Sequence, residues 1–238
     1  MKVDILAVGV HPDDVELSAS GTLLKHMAQG KTAGMLDLTR GELGTRGNAE
    51  LRTKEANDSA KILGVSFRTQ LTFRDGFFSH DEQHMLQVVE QIRKHQPEIV
   101  LCNAVSDRHP DHGRSAKLVA EACFYSGLSR ITTTLDGQEQ KAWRPKAVYH
   151  YIQDQYIEPD FVIDVSDFIE TKRKSIMAFS SQFYDPKSKE PQTPISTKEF
   201  MDYLEAKMAL WGRSIGKRFA EGFTHTRIPG VNSLFDLT

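Results

Sequence analysis

VDILAVGVHPDD, residues 3–14, decides the fold. Residues 3–10 are a near-continuous apolar run, the pattern of a strand covered on both faces, as in a parallel sheet between helices. Imidazole and carboxylate side chains follow it directly. Next, residues 17–28 carry Leu17, Leu23, Leu24 and Met27 at helical spacing and stop at Gly30. Residues 31–38 read as a strand, 49–63 as a helix closed by Gly64, and 66–71 as a third strand. A helix at 82–95 bounded by Pro97, a strand at 98–102 and a helix from about 114 to 125 continue the alternation. Strand, crossover helix and strand in repetition predict an α/β fold: a single doubly wound, mainly parallel, Rossmann-like sheet.

Beyond Gly127 the rhythm changes. Residues 147–152 and 161–165 read as strands, 167–179 as a helix, and 196–218 as a long final helix opened by Ser196 or Thr197 with Glu199 nearby. The polar, proline-bearing stretch 185–194 reads as a surface loop. With no repeat or linker to divide it, the chain is expected to form one domain over residues 1–238, with a core over about 1–127 and a C-terminal β/α elaboration over about 128–238.

Composition excludes several classes of function. A chain of 238 residues can bury roughly 70–75% of its unfolded surface. Its 30 Lys and Arg against 32 Asp and Glu give a net charge of −2 and no basic footprint, so no nucleic-acid partner is expected. No apolar run approaches the roughly 18 residues of a membrane span, and the first residues meet acid before any small-residue cleavage site. No membrane partner and a cytoplasmic location are therefore expected. Cys102 and Cys123 lie in apolar surroundings and read as buried free thiols.

In open α/β sheets the crevice beyond the carboxyl ends of the strands holds the ligand. Two loops fall there: His11-Pro12-Asp13-Asp14 after the first strand, and Asp107-Arg108-His109-Pro110-Asp111-His112 after the fourth. A strand order of 3-2-1-4 would set them face to face. Two imidazoles and a carboxylate make a catalytic metal site with a fourth position for water, and His11, Asp14 and His112 are the ligands read from this pair. Nitrogen and oxygen donors without thiolate suit Zn²⁺ and also accept Fe²⁺ or Mn²⁺. Asp13, beside a ligand, then reads as general base. His109 reads as an imidazolium that holds an oxyanion or protonates a leaving amine, with Asp111 orienting it. The plainer reading of the first loop is a helix start, Asp13 and Glu16 forming a capping box. Recurrence of a His-Pro-Asp loop at the end of a second buried strand favours the metal. The glycines of GELGTRG, residues 41–47, are spaced G-x-x-G-x-x-G, which is neither a dinucleotide fingerprint nor a phosphate-binding P-loop.

These loops resemble the paired motifs of the LmbE-like, or PIG-L-type, zinc-dependent N-acetylglucosamine deacetylases. DLTRGELGTRG (37–47), DGFF (75–78), DRHPDHGR (107–114), WRPKAVYHYIQDQYIEPDFVIDVSDF (143–168) and SSQFYDP (180–186) are similar to the bacillithiol-biosynthesis subgroup, so the resemblance spans nearly the whole chain. The chain departs from its relatives at Leu17-Ser18-Ala19-Ser20-Gly21, where they are richer in glycine. The resemblance implies hydrolysis of the acetamide of N-acetylglucosaminyl-malate, with ligands His11, Asp14 and His112, base Asp13, imidazole His109 and supporting Asp111. It also implies a substrate-binding Arg52, a sugar-binding Asp75 and assembly as a homo-oligomer. Malate carries two carboxylates, which guanidinium groups grip bidentately. Among Arg40, Arg46, Arg52 and Arg108, all near the mouth loops, Arg52 and Arg108 are expected to hold it. Rival readings are a non-haem Fe²⁺ oxygenase, which belongs on an all-β barrel, and a metal-free sugar- or carboxylate-binding module.

Overall fold

The computed structural model describes residues 1–237. The core alternates as the sequence predicts. Strands β1 (Ile5–Gly9), β2 (Ala33–Thr39), β3 (Arg68–Phe73) and β4 (Ile99–Cys102) are joined through helices α1 (Asp14–Ser18), α2 (Ser20–Ala28), α3 (Ala49–Leu63) and α4 (Glu82–His95). After β4 come α5 (Pro110–Tyr125), a short hairpin of β5 (Thr134–Leu135) and β6 (Gln138–Glu139), and strands β7 (Ala147–Tyr151) and β8 (Phe161–Asp164). Helices α6 (Ile169–Met177) and α7 (Phe200–Ser214) and a last strand β9 (Ala220–Thr224) complete the fold. The seven-stranded sheet runs β3-β2-β1-β4-β7-β9-β8, parallel except where β9 lies antiparallel between β7 and β8.

Strand β1 is buried on both faces because its two sides serve two cores. Leu6, Val8 and Val10 pack with Leu36, Val88, Ile92 and Val119 on one side. Ile5 and Ala7 pack with Val15, Leu23, Leu63 and Tyr151 on the other. Alternation of side chains along a strand makes this possible. Since β2 and β4 flank β1, the chain turns opposite ways at the β1–β4 boundary, which is the switch point where a crevice opens. No helix among the described residues is long and apolar enough to cross a membrane.

Three helix expectations are corrected, and β9 and the β5–β6 hairpin are added to the elements read from the sequence. The first helix breaks at Ala19 (φ −141°, ψ 0°) into α1 and α2. The break is stabilised by a buried ion pair: Lys172 Nζ lies 2.7 Å from Glu221 Oε1 and donates to the carbonyls of Glu16 and Leu17. Glu221 in turn accepts from the amides of Gly21 (2.9 Å) and Thr22 (2.7 Å) at the start of α2, where a negative charge suits the helix dipole. Helix α5 starts at Pro110 rather than near 114, because proline is preorganised for the first helical position. The final helix ends at Ser214, and β9 follows it, hidden in the sequence by the charged Glu221 that this strand buries. The β5–β6 hairpin is too short to carry a periodic signal.

Lys172→Met should leave Glu221 buried without its counter-charge and cost about 3–5 kcal/mol. Adding Glu221→Gln should recover part of that loss, and urea unfolding midpoints measure both. Equal midpoints for Lys172→Met and the parent would contradict the role given to the pair.

Candidate active site and metal centre

The turn leaving β1 is strained. Asp13 has φ 119° and ψ −23°, a left-handed conformation costly for a residue with a side chain. The capping-box reading is corrected here: the Asp13 carboxylate caps nothing, and Glu16 instead accepts from Ser59 Oγ (2.6 Å) and Arg68 Nη1 (2.5 Å). Arg52 holds the turn from α3, its Nη2 donating to the Pro12 carbonyl (2.7 Å) and to Asp13 Oδ2 (3.1 Å) while Nη1 reaches the Gly41 carbonyl (3.2 Å). Gly41 stands at φ +62°, and a Cβ there would lie 2.1 Å from Arg52 Nη1, which explains the first glycine of GELGTRG.

Asp14 collects donors from three segments. Its Oδ2 accepts from the His11 amide and from Asn103 Nδ2, both at 2.9 Å, and Oδ1 from Gln153 Nε2 at 3.0 Å. Both loop imidazoles flank it, His112 Nε2 at 3.3 Å from Oδ1 and His11 Nδ1 at 3.9 Å from Oδ2. The other nitrogen of each ring is occupied by a carboxylate: His11 Nε2 by Asp75 Oδ1 (2.9 Å) and His112 Nδ1 by Asp107 Oδ2 (2.5 Å). The inner nitrogens of both rings are thus left to face Asp14. A carboxylate behind each ligand ring is the usual support of a histidine-bound metal, so the donor chemistry at His11, Asp14 and His112 fits a divalent ion. Among the described residues, the sets whose ligand atoms all lie within 4.8 Å of one another are His11, His109 and His112 and, separately, His11, Asp75 and Asp111; the set His11, Asp14 and His112 is not among them and is linked through the contacts of Asp14 to each ring.

His109 completes the cluster, its ring centroid 4.7 Å from that of His11 and 5.2 Å from that of His112. As N-cap of α5 it accepts at Nδ1 from the Asp111 amide (3.2 Å), which leaves Nε2 to carry the hydrogen of the neutral ring. The Asp111 carboxylate does not orient His109, contrary to the sequence reading. It accepts from the Gly76 amide (2.8 Å) and Arg114 Nη1 (2.6 Å) and lies 3.6 Å from His11 Nε2. Gly76, in the loop after β3, and Arg114, one helical turn on, supply the donors that hold its oxygens.

Charges are strongly biased here. Burial pushes His11 down, but hydrogen bonds to Asp111 and Asp75 and the charge of Asp14 outweigh it and raise the pKa to about 10. His112, likewise opposed by burial, is raised to about 9 by Asp14 and Asp107. Burial lifts Asp13 to about 7 against the pull of Arg52, whereas the imidazoles hold Asp14 well below the usual carboxylate range despite its burial. His109 is pushed down, by burial first and then by its two histidine neighbours.

These side chains line a cavity of about 390 Å³, walled by Leu43 and Gly44, by Asp75 and Gly76, and on the far side by α7 and Ile195. Helix α7 turns Phe200, Tyr203, Leu204 and Lys207 toward it. The predicted substrate groups divide. Arg108 lies half-exposed at the cavity, tied through Nε to Asp154 (2.6 Å). Arg52 and Asp75 also line it, yet Arg52 is engaged with the base turn, and the Asp75 oxygens take His11 Nε2 and the Leu43 amide (3.0 Å). Arg46 is buried elsewhere, donating to the Phe183 carbonyl and Ser188 Oγ. Sequence reasoning missed Asp107, Asn103 and Gln153. Asp107 alone carried a signal, lying in the same motif as His112, whereas Asn103 and Gln153 are brought to Asp14 by neighbouring strands.

A metal must displace the protons held on His11 and His112, whose folded pKa values lie above neutrality. Binding of Zn²⁺ at pH 7 should therefore release between one and two protons, read as the dependence of calorimetric heat on buffer ionisation enthalpy. Affinity should weaken as pH falls. Release of no protons would contradict the ligand assignment.

The family profile described as PIG-L: GlcNAc-PI de-N-acetylase matches residues 6–123. Diacetylchitobiose deacetylase of Thermococcus kodakarensis is 28% identical over 95% of this chain and 84% of its own length. A probable N-acetyl-alpha-D-glucosaminyl L-malate deacetylase 2 of Bacillus anthracis is 25% identical over 75% of this chain and 81% of its own. The crystal structure of the conserved protein TT1542 from Thermus thermophilus superposes with a TM-score of 0.85 at 31% identity, covering 98% of both chains. The strand order, the paired histidine loops at the sheet's switch point and these similarities lead to one conclusion: the chain belongs to the PIG-L (LmbE-like) deacetylase family.

Proposed function

We propose that this chain is a metal-dependent amide hydrolase that removes the acetyl group from an N-acetylglucosaminyl conjugate, with N-acetylglucosaminyl-malate of bacillithiol biosynthesis as its substrate. One observation carries the reading: His11 Nδ1 and His112 Nε2 both face Asp14, each ring backed by a carboxylate, in one cavity with Asp13 and His109. Similarity to deacetylases named for diacetylchitobiose and for the malyl glycoside supports the substrate class.

His11, Asp14 and His112 would hold the ion, with Zn²⁺ the best match to the donors and Fe²⁺ or Mn²⁺ compatible with them. Such an ion supplies Lewis-acid polarisation of the acetyl carbonyl and lowers the pKa of a water to about 7. Asp13, held at Oδ2 by Arg52, receives the proton of the attacking water. His109, neutral and protonated at Nε2, donates a hydrogen bond to the carbonyl oxygen as charge develops there. Because a neutral His109 has no second proton to give, Asp13 returns its own to the departing nitrogen. Arg52 and Asp75, which the resemblance marks for substrate, act here by positioning Asp13 and His11. Arg108 offers its terminal nitrogens to a malate carboxylate.

Acetate release from N-acetylglucosaminyl-malate should stop with chelator and return with added metal; release that persists after complete metal removal would end this reading. Asp13→Asn should retain metal and lower kcat by about 10²–10⁴. His109→Ala should also retain metal, with a loss of about 10²–10³, whereas His112→Ala should lose the metal itself. Full activity in His109→Ala would remove the oxyanion role.

A further inference from the structure

Helix α7 presents Phe200, Tyr203, Leu204 and Lys207 to the cavity, a stripe at i, i+3, i+4 and i+7. Leu204 is buried and Phe200 half-buried, as apolar packing requires, and Tyr203 is largely exposed at the rim. The fourth places an ammonium in a wall that is otherwise apolar on this helix. Lys207 makes one hydrogen bond among the described residues, from Nζ to the Gln153 carbonyl. An ammonium has three donors, so two remain uncommitted beside the cavity. The carboxylates whose charge favours it are engaged elsewhere: Asp154 with Arg108 Nε, Asp107 with His112 Nδ1 and the Gln155 amide, and Glu221 with Lys172 Nζ. Burial lowers the Lys207 pKa to about 8, which still leaves it mostly charged at neutral pH. The Trp211 ring, 5.5 Å from Nζ, favours the cation as well. A partly buried charge without a paired counter-ion is costly, and an anion entering the cavity would offset that cost.

We propose that Lys207 is a specificity-determining residue, its ammonium receiving a carboxylate on the part of the substrate beyond the N-acetylglucosamine ring. The inference rests on the deacetylase reading and deepens it. The two terminal nitrogens of Arg52 are committed to Gly41, Pro12 and Asp13 and its Nε is buried without a partner, so the aglycone falls to Lys207 and Arg108.

The test compares acetate release by the metal-loaded enzyme from N-acetylglucosaminyl-malate and from its dimethyl ester, in which both negative charges are removed; the bulk of the added methyl groups is common to every variant and cancels when ratios are compared. Lys207→Gln keeps a donor for the Gln153 carbonyl and removes the cation. It should lower the ratio of kcat/KM values, diacid over diester, by at least about tenfold, mainly through KM of the diacid, and Lys207→Arg should keep most of the ratio. Lys207→Met should lower it as Lys207→Gln does. If Lys207 served only to anchor Gln153 behind Asp14, both substrates would fall together and the ratio would stay constant, which overturns the proposal. Acetate from both substrates with an unmoved ratio removes the lysine's role alone. Acetate from neither, in any metal-loaded form, removes N-acetylglucosaminyl-malate as the substrate and this inference with it.

Discussion

Asp14 carries a negative charge into a nearly dry pocket, and the surroundings are arranged to offset it. It is 3% exposed, and an isolated carboxylate there would take up a proton. Three neutral donors and two imidazoles keep it ionised instead. The imidazoles then need support of their own, which Asp75 and Asp107 provide on their outer faces. Each carboxylate brings a further layer: Asp75 takes the Leu43 amide, and Asp107 the Gln155 amide. The loops around the cavity are in this way pinned outward from a single charge. The same layering tunes function, since it decides which ring nitrogens face inward.

Much of the site's rigidity comes from the half of the chain that carries no ligand. Gln153, just past β7, donates to Asp14, and α7 closes the far wall of the cavity. Lys172 of α6 and Glu221 of β9 meet at the break between α1 and α2 and satisfy groups on both sides of it. On the opposite face of α1, Glu16 is tied to Ser59 and Arg68, and Arg68 also pairs with Asp37 of β2. A one-turn helix has no stability of its own. Fastened by buried charge on two sides, α1 can hold Asp13 in its unfavourable backbone conformation.

Legibility followed physical range. The buried strands, their crossover helices and the two histidine loops were readable, because apolar period and loop composition are local properties. The strand order 3-2-1-4 expected for the core is the order observed. The first helix misled because the pattern of Leu17, Leu23 and Leu24 runs smoothly through Ala19, while the groups that stabilise the break lie at 172 and 221. Strand β9 misled for the converse reason: Glu221 looks like surface until Lys172 is brought beside it.

The sequence by itself determined the α/β sheet and the identity of the residues gathered at its carboxyl edge, since hydrophobic period and side-chain chemistry are written into neighbouring positions. Only the tertiary structure decided what each of those residues faces. It turned Asp111 away from His109, gave Arg52 to Asp13 and Asp75 to His11, and brought Gln153 and Lys207 to the cavity. Hydrogen bonds and ion pairs between segments far apart in the chain set those orientations, and they exist only once the sheet has brought the segments together.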